Sequence, residues 1–196
     1  MNFTSFAAVR RYFEGSSGFE DARSFTLSLY QEMSLPEAIA QACHTKELTR
    51  DGPKKDQHKR YSWPVLNKCR AALLANQSRL ESAAEGGFDS LLRTVGDILD
   101  QAGLHGVREL GRYDFALKIG ATLDCEPSER VYVHRKPLKV ARALHLPIVR
   151  GDGQPYVLRS KFPAELASMR ADALENLLCN CGDELVYVAE RLGHNR

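Results

Sequence analysis

Residues 88–123, FDSLLRTVGDILDQAGLHGVRELGRYDFALKIGATL, decide the fold. Phe88, Leu91, Leu92, Val95, Ile98 and Leu99 recur at the three- and four-residue spacing of a helix with one apolar stripe. Leu99 and Leu104 lead into a turn, His105 to Gly111, that carries two glycines, Gly106 and Gly111. Ala116, Ile119 and Leu123 then give a second stripe. The segment therefore reads as helix, tight turn, helix.

The same periodicity spreads outward from this centre. Residues 2–13 and 18–32 read as short helices separated by a Gly/Ser turn. Ser34, Pro36 and Glu37 form a capping-box start for a helix over residues 35–45. Residues 63–84 read as one long helix with Pro64 in its first turn, ended by Gly86-Gly87. Residues 130–135 are extended, 137–144 helical and 147–163 irregular; residues 164–192 are two helices broken at Gly182. The expected fold is mostly α: a helical bundle with at most one short strand or hairpin. It divides into an N-terminal helical part, 1–85, and a C-terminal helical part, 86–196, that carries the hairpin at 88–123.

Composition narrows the function classes. Forty-three per cent apolar residues suffice for a packed core, and a net charge of +2 excludes a whole-chain polycation. Any nucleic-acid surface must be local. The densest basic run lies between Lys46 and Arg70, with eight Lys/Arg against three Asp/Glu, and includes a polar loop at 46–62. The odd, scattered set Cys43, Cys69, Cys125, Cys179 and Cys181 reads as free thiols in a reducing, cytoplasmic setting. The start of the chain lacks secretory character, no run is long enough to span a membrane, and no metal site is expected from Cys179-x-Cys181.

The turn His105-Gly106-Val107-Arg108-Glu109-Leu110-Gly111 resembles the helix-hairpin-helix of DNA-repair proteins, whose hairpin reads L-P-G-V-G-x-x-T-A. Gly106-Val107 matches its first glycine and apolar neighbour, and Ala116 its small packing position; Arg108 replaces the second glycine, and the turn is longer. The resemblance implies that Gly106, Val107, Arg108 and Gly111 bring backbone N–H groups to a DNA phosphate. It also implies a monovalent cation on the hairpin carbonyls, with no other cofactor required. Val131-Tyr132-Val133-His134, followed by residues 140–146, VARALHL, is similar to the V-D-T-H segment and following helix of glycosylases with this hairpin. Tyr132 stands where that pattern has its catalytic Asp, and Leu110 stands near the place of the lysine used by bifunctional members. A looser likeness, through DQHKR, YDFALKIGATL, VYVHR and FPAEL…LENLLC, is to uncharacterised bacterial and mobile-element proteins, some of them glycosylase-like and directed at modified phage bases.

The expectation is therefore a DNA-binding protein that resembles a monofunctional DNA glycosylase. Such chemistry needs a carboxylate near the sugar, a base pocket and a phosphate grip. Asp114 is the first candidate carboxylate, with Glu126, Asp124 and Glu129 behind it, and His134 can orient water or phosphate. Asp114 is equally what a first helical turn favours, and a lone histidine is commonly a structural hydrogen-bonding group. Lys54, Lys55, His58, Lys59 and Arg60, with Arg135, Lys136 and Lys139, are the phosphate-binding candidates. Tyr61, Trp63, Tyr113 and Tyr132 are the base-pocket candidates; the alternative for Trp63 is an anchor for the next helix, and for Tyr132 a place in the core. The rival readings are a non-catalytic DNA-binding or adaptor module and an RNA-binding or toxin–antitoxin-type interaction protein.

Overall fold

The computed structural model describes residues 3–16, 18–49, 52, 54–55, 61–150 and 154–193. The fold is mostly helical, at 65% helix, as the periodicity predicts. Two compact units make up the chain: Met1–Arg23 with Pro127–Arg196 (unit 1), and Ser24–Glu126 (unit 2). The boundary expected near residue 85 thus falls inside unit 2.

In chain order, α1 (Phe6–Arg11) runs into a π-turn at Tyr12–Ser16, and α2 (Phe19–Gln31) carries the chain from unit 1 into unit 2. Unit 2 then holds α3 (Leu35–Ala42), a ribbon of β1 (Lys46–Glu47) and β2 (Lys54–Lys55), α4 (Trp63–Leu74), α5 (Gln77–Glu85), α6 (Phe88–Gln101) and α7 (Glu109–Thr122). The ribbon is antiparallel, Lys46 facing Lys55 and Glu47 facing Lys54, inside the segment expected to be loop. The helix expected over 63–84 is two. Asn76 ends the first by turning its side-chain amide to the Ala72 carbonyl (2.9 Å), the local competition that asparagine offers a helix. At α3 the expected cap is present: the Ser34 hydroxyl donates to Glu37 Oε2, as does the Ser34 N–H at 2.9 Å, and the hydroxyl first, the N–H second, hold the Glu37 carboxyl below its usual range.

α6 and α7 pack on each other, α3 packs on α7, and α4 and α5 pack on α6. Leu91, Val95, Ile98, Leu99, Val107, Phe115 and Ile119 are buried at this centre. Gly120 makes the packing possible, because a Cβ there would strike the Cys125 carbonyl oxygen and press on Leu91 Cδ2. The end of α7 folds back over that glycine: Asp124 takes φ 51° and Cys125 N–H donates to the Gly120 carbonyl at 2.8 Å. α6 ends the same way, with Gly103 at φ 71° and Leu104 N–H on the Leu99 carbonyl (2.8 Å).

Unit 1 is completed by β3 (Arg130–Tyr132), α8 (Lys136–Ala143), β4 (Tyr156–Leu158), a 3-10 turn at Arg159–Lys161, α9 (Ala164–Ala167), α10 (Ala171–Asn180) and α11 (Gly182–Arg191). β3 and β4 pair antiparallel, Val131 facing Val157, so two short ribbons exist where at most one was expected. Phe6, Val9 and Phe13 join Val131, Val133, Leu166, Leu174, Leu177 and Leu185 in one buried cluster. The break at Gly182 falls as predicted, between α10 and α11. There the missing Cβ makes room for Val140 Cγ2 of α8.

Gly120 yields the first prediction. Gly120→Ala forces a methyl against a backbone carbonyl that cannot rotate away. It should lower stability by about 2 kcal/mol, the usual cost of overpacking, read as a lower midpoint in denaturant unfolding followed by circular dichroism.

Candidate nucleic-acid interface

The hairpin between α6 and α7 is closed by one side chain. Arg112 reaches back with Nη2 at 2.6 Å and Nη1 at 2.9 Å from the two oxygens of Asp100, while its Nε donates to the Val107 carbonyl at 2.7 Å. Gly96 on α6 leaves space for this; a Cβ there would lie 3.3 Å from Arg112 Nη1. His105 Nδ1 stands 3.0 Å from the same Asp100. Arg112 first, and His105 second, hold the Asp100 carboxyl below its usual range.

Between these anchors the turn projects outward. Val107 N–H donates to the Leu104 carbonyl (2.9 Å), leaving His105 and Gly106 at the tip, both exposed. Leu104 and Val107 are buried beneath them. A Cβ on Gly106 would meet nothing within 4 Å. The positive φ of this connection belongs to Gly103 and not to Gly106. Arg108 is exposed and extended at the start of α7. Of the carbonyls expected to hold a cation, that of Leu104 accepts from Val107 N–H and that of Val107 from Arg112.

Gly111, in the first turn of α7, is the seat of Tyr61. A Cβ at Gly111 would lie 2.5 Å from the tyrosine hydroxyl and 2.9 Å from Cε2. This contact joins the end of the basic segment to the hairpin. A second link is Lys118, buried on α7, whose Nζ lies 3.0 Å from Glu47 of β1 and 3.1 Å from Asp114. Trp63 opens α4 and is 47% exposed. It meets the His44 ring nearly at right angles, 5.9 Å between centroids.

The remaining candidates divide. Asp114 is partly exposed and already paired with Lys118; Glu126, half-buried, also belongs to unit 2. His134 belongs to unit 1 and is buried, so the three catalytic candidates do not share one compact unit. Tyr113 is a core residue, packed edge-on against Phe88 at 5.9 Å, and Tyr132 is another, against Tyr156 at 6.3 Å. Neither ring offers a face to a base, which corrects the sequence expectation for both. Arg135, Lys136 and Lys139 lie in unit 1, at the start of α8. Arg135 and Lys139 are exposed, and Lys136 lies 3.3 Å from Asp183. Arg135 adopts φ 49°, ψ −110°, a backbone region that favours glycine. Lys54 and Lys55 form β2; His58, Lys59 and Arg60 lie outside the described residues.

Sequence reasoning missed the buried ionic group of unit 1. Glu175 on α10 receives Arg23 Nη1 on Oε2 at 3.1 Å and the Cys179 thiol on Oε1 at 3.2 Å, with His134 Nε2 3.4 Å from Oε1. Burial pushes the Glu175 carboxyl up, yet the Arg23 charge, His134 and the thiol together outweigh it and hold it down at about 2. Burial, followed by the neighbouring Glu175 carboxylate, pushes the Cys179 thiol far up, so it is no ready nucleophile. Cys179 at i+4 was the only local signal; Arg23 and His134 are remote in sequence.

A carboxyl depressed from 4.5 to about 2 stabilises the fold above pH 4.5, and that contribution is lost as pH falls from 4.5 toward 2. Glu175→Gln should remove this pH dependence and flatten the stability profile over that window in urea titrations. Arg23→Met leaves the buried carboxylate without its main counter-charge and should cost about 3 kcal/mol at neutral pH.

Compared with known protein families, curated proteins and solved structures, the chain matches none.

Proposed function

We propose that this chain binds DNA through unit 2, gripping the backbone with the exposed turn at His105–Arg108 and with the basic segment that begins at Lys46. The observation that carries this reading is the seating of Tyr61 on Gly111, which ties the basic segment to the first turn of the hairpin's second helix. The end of the basic loop and the hairpin are thereby joined within unit 2. Gly106 carries no side chain and nothing stands over it, so a phosphate oxygen has access to the backbone there. Arg108 adds a cation beside it, and Glu109 in the same helical turn disfavours an anion further along α7. Such contacts fix position without reading sequence. The cation suggested by the resemblance has no part in this proposal, since Arg112 already supplies positive charge at the Val107 carbonyl.

The second reading is base excision by hydrolysis, with Asp114 as the carboxylate. What favours it is the place of Asp114 on α7, in the unit that holds the hairpin and not buried in its core. Lys118 would then orient Asp114. The non-catalytic module is the simpler form of the same proposal, because the pairing of Asp114 with Lys118 is explained by packing alone.

Two experiments separate these readings. Labelled duplex DNA should bind with an affinity that falls linearly in log salt, with a slope of about −0.9 per neutralised phosphate. Gly106→Val adds a side chain into open space at negative or extended φ, so it should fold normally and bind at least several-fold more weakly. Binding that ignores both salt and Gly106→Val would sink the proposal. For catalysis, DNAs carrying varied modified bases are assayed for alkali-labile abasic sites; Asp114→Asn should stop base release and leave binding intact. Release at the wild-type rate by Asp114→Asn removes Asp114 from the mechanism.

A further inference from the structure

Unit 2 leaves one large apolar side chain open among its described residues, and it is the chain's only tryptophan. A soluble surface gains nothing from an indole at 47% exposure, since burying it would be favourable by a kcal/mol or more. Its surroundings hold it in place. His44 meets it edge-to-face and is itself positioned by the Lys46 N–H, which donates to His44 Nδ1 at 3.0 Å. Pro64, next in the chain, fixes the backbone at the start of α4. An edge-to-face neighbour covers one side of the indole at most, so a flat surface remains. That surface adjoins the lysine ribbon: Lys46 of β1 is both the exposed cation and the residue that orients His44. Lys46 on β1, and Lys68 and Arg70 on α4, the helix that Trp63 opens, are exposed cations, a charge complementary to a phosphodiester chain.

An indole face in a unit with exposed cations at Lys46, Lys68 and Arg70 fits a nucleotide whose base is unpaired. Stacking on an aromatic ring needs a free base face, which every base has and a base inside a duplex stack lacks. From this juxtaposition we infer that Trp63 is a stacking platform for an unpaired base, and that the preferred ligand is single-stranded DNA or a duplex with an extruded base. The inference rests on the DNA-binding reading of unit 2 and narrows it to a substrate class.

The sole tryptophan makes the test direct, because all indole emission comes from Trp63. The full chain is titrated with oligothymidylate, with a duplex carrying one unpaired base, and with a fully paired duplex of equal length. Binding is followed in parallel by the anisotropy of labelled DNA. Expected are quenching of Trp63 by the first two ligands, little by the third, and recovery when salt dissociates the complex. Trp63→Ala should weaken binding to oligothymidylate by about tenfold and to paired duplex hardly at all, while Trp63→Phe keeps most of the affinity. Should Trp63→Ala fail to fold, quenching of the wild type and the Phe variant decide. DNA that binds by anisotropy without changing Trp63 emission, and that binds Trp63→Ala equally well, overturns the stacking platform and leaves the DNA-binding reading standing. Absence of binding to all three ligands overturns both.

Discussion

The guanidinium of Arg112 holds the centre of unit 2 together. It ties the end of α6, through Asp100, to the start of α7 and to the carbonyl of Val107 in the turn between them. Three sequence features exist around it: a glycine in mid-helix at 96, a carboxylate one turn later at 100, and a buried Val107 whose carbonyl points back. Charge-assisted, forked hydrogen bonds of this kind are worth about 1.5–3 kcal/mol each where shielded, less where, as at Asp100, water reaches the carboxylate. The energetic contribution is secondary to the geometric one. With the clasp in place, the turn is tied both to the end of α6 and to the start of α7.

Unit 1 solves a different problem. Its α10 carries Asp172, Glu175 and Asn176 into the interior, where unpaired polar groups are costly. Arg170 turns onto Asp172 at 2.7 Å, Asn180 donates to Asn176, and Arg23 reaches Glu175. The pairing is asymmetric in its consequences. It adds modest stability when complete and makes the loss of either partner severe. It also explains why His134, attractive as a catalytic residue in sequence, is a structural neighbour of Glu175 in the fold.

What was legible in the sequence is what depends on neighbours along the chain. The stripe from Phe88 to Leu99, the capping residues at Ser34 and Glu37, and the break at Gly182 are local signals, and each marks a real boundary. The turn at Gly106 is local too, and its tip at His105 and Gly106 is exposed. What depended on remote partners was hidden. The pairing of β3 with β4 spans a stretch read as irregular, and the lysine ribbon lies in a stretch read as loop. Tyr113 and Tyr132 look like Tyr61 in sequence, yet the first two fill the interior and the third lies across a glycine. Trp63 stays exposed at the start of α4, whose buried residues are Leu66, Cys69 and Leu73. The clasp of Arg112 on Asp100 crosses a connection whose geometry no periodicity supplies.

Unit 1 is interrupted in the chain by the whole of unit 2. Phe6, Val9 and Phe13 must wait for β3, α10 and α11, which leave the ribosome more than a hundred residues later. Unit 2 is continuous and can close while synthesis proceeds, whereas the first helix spends that interval with its apolar face bare. Birth order on the ribosome therefore sets an assembly sequence, inner unit before outer. It also leaves the apolar side chains of α1 without their partners until α10 and α11 have been made.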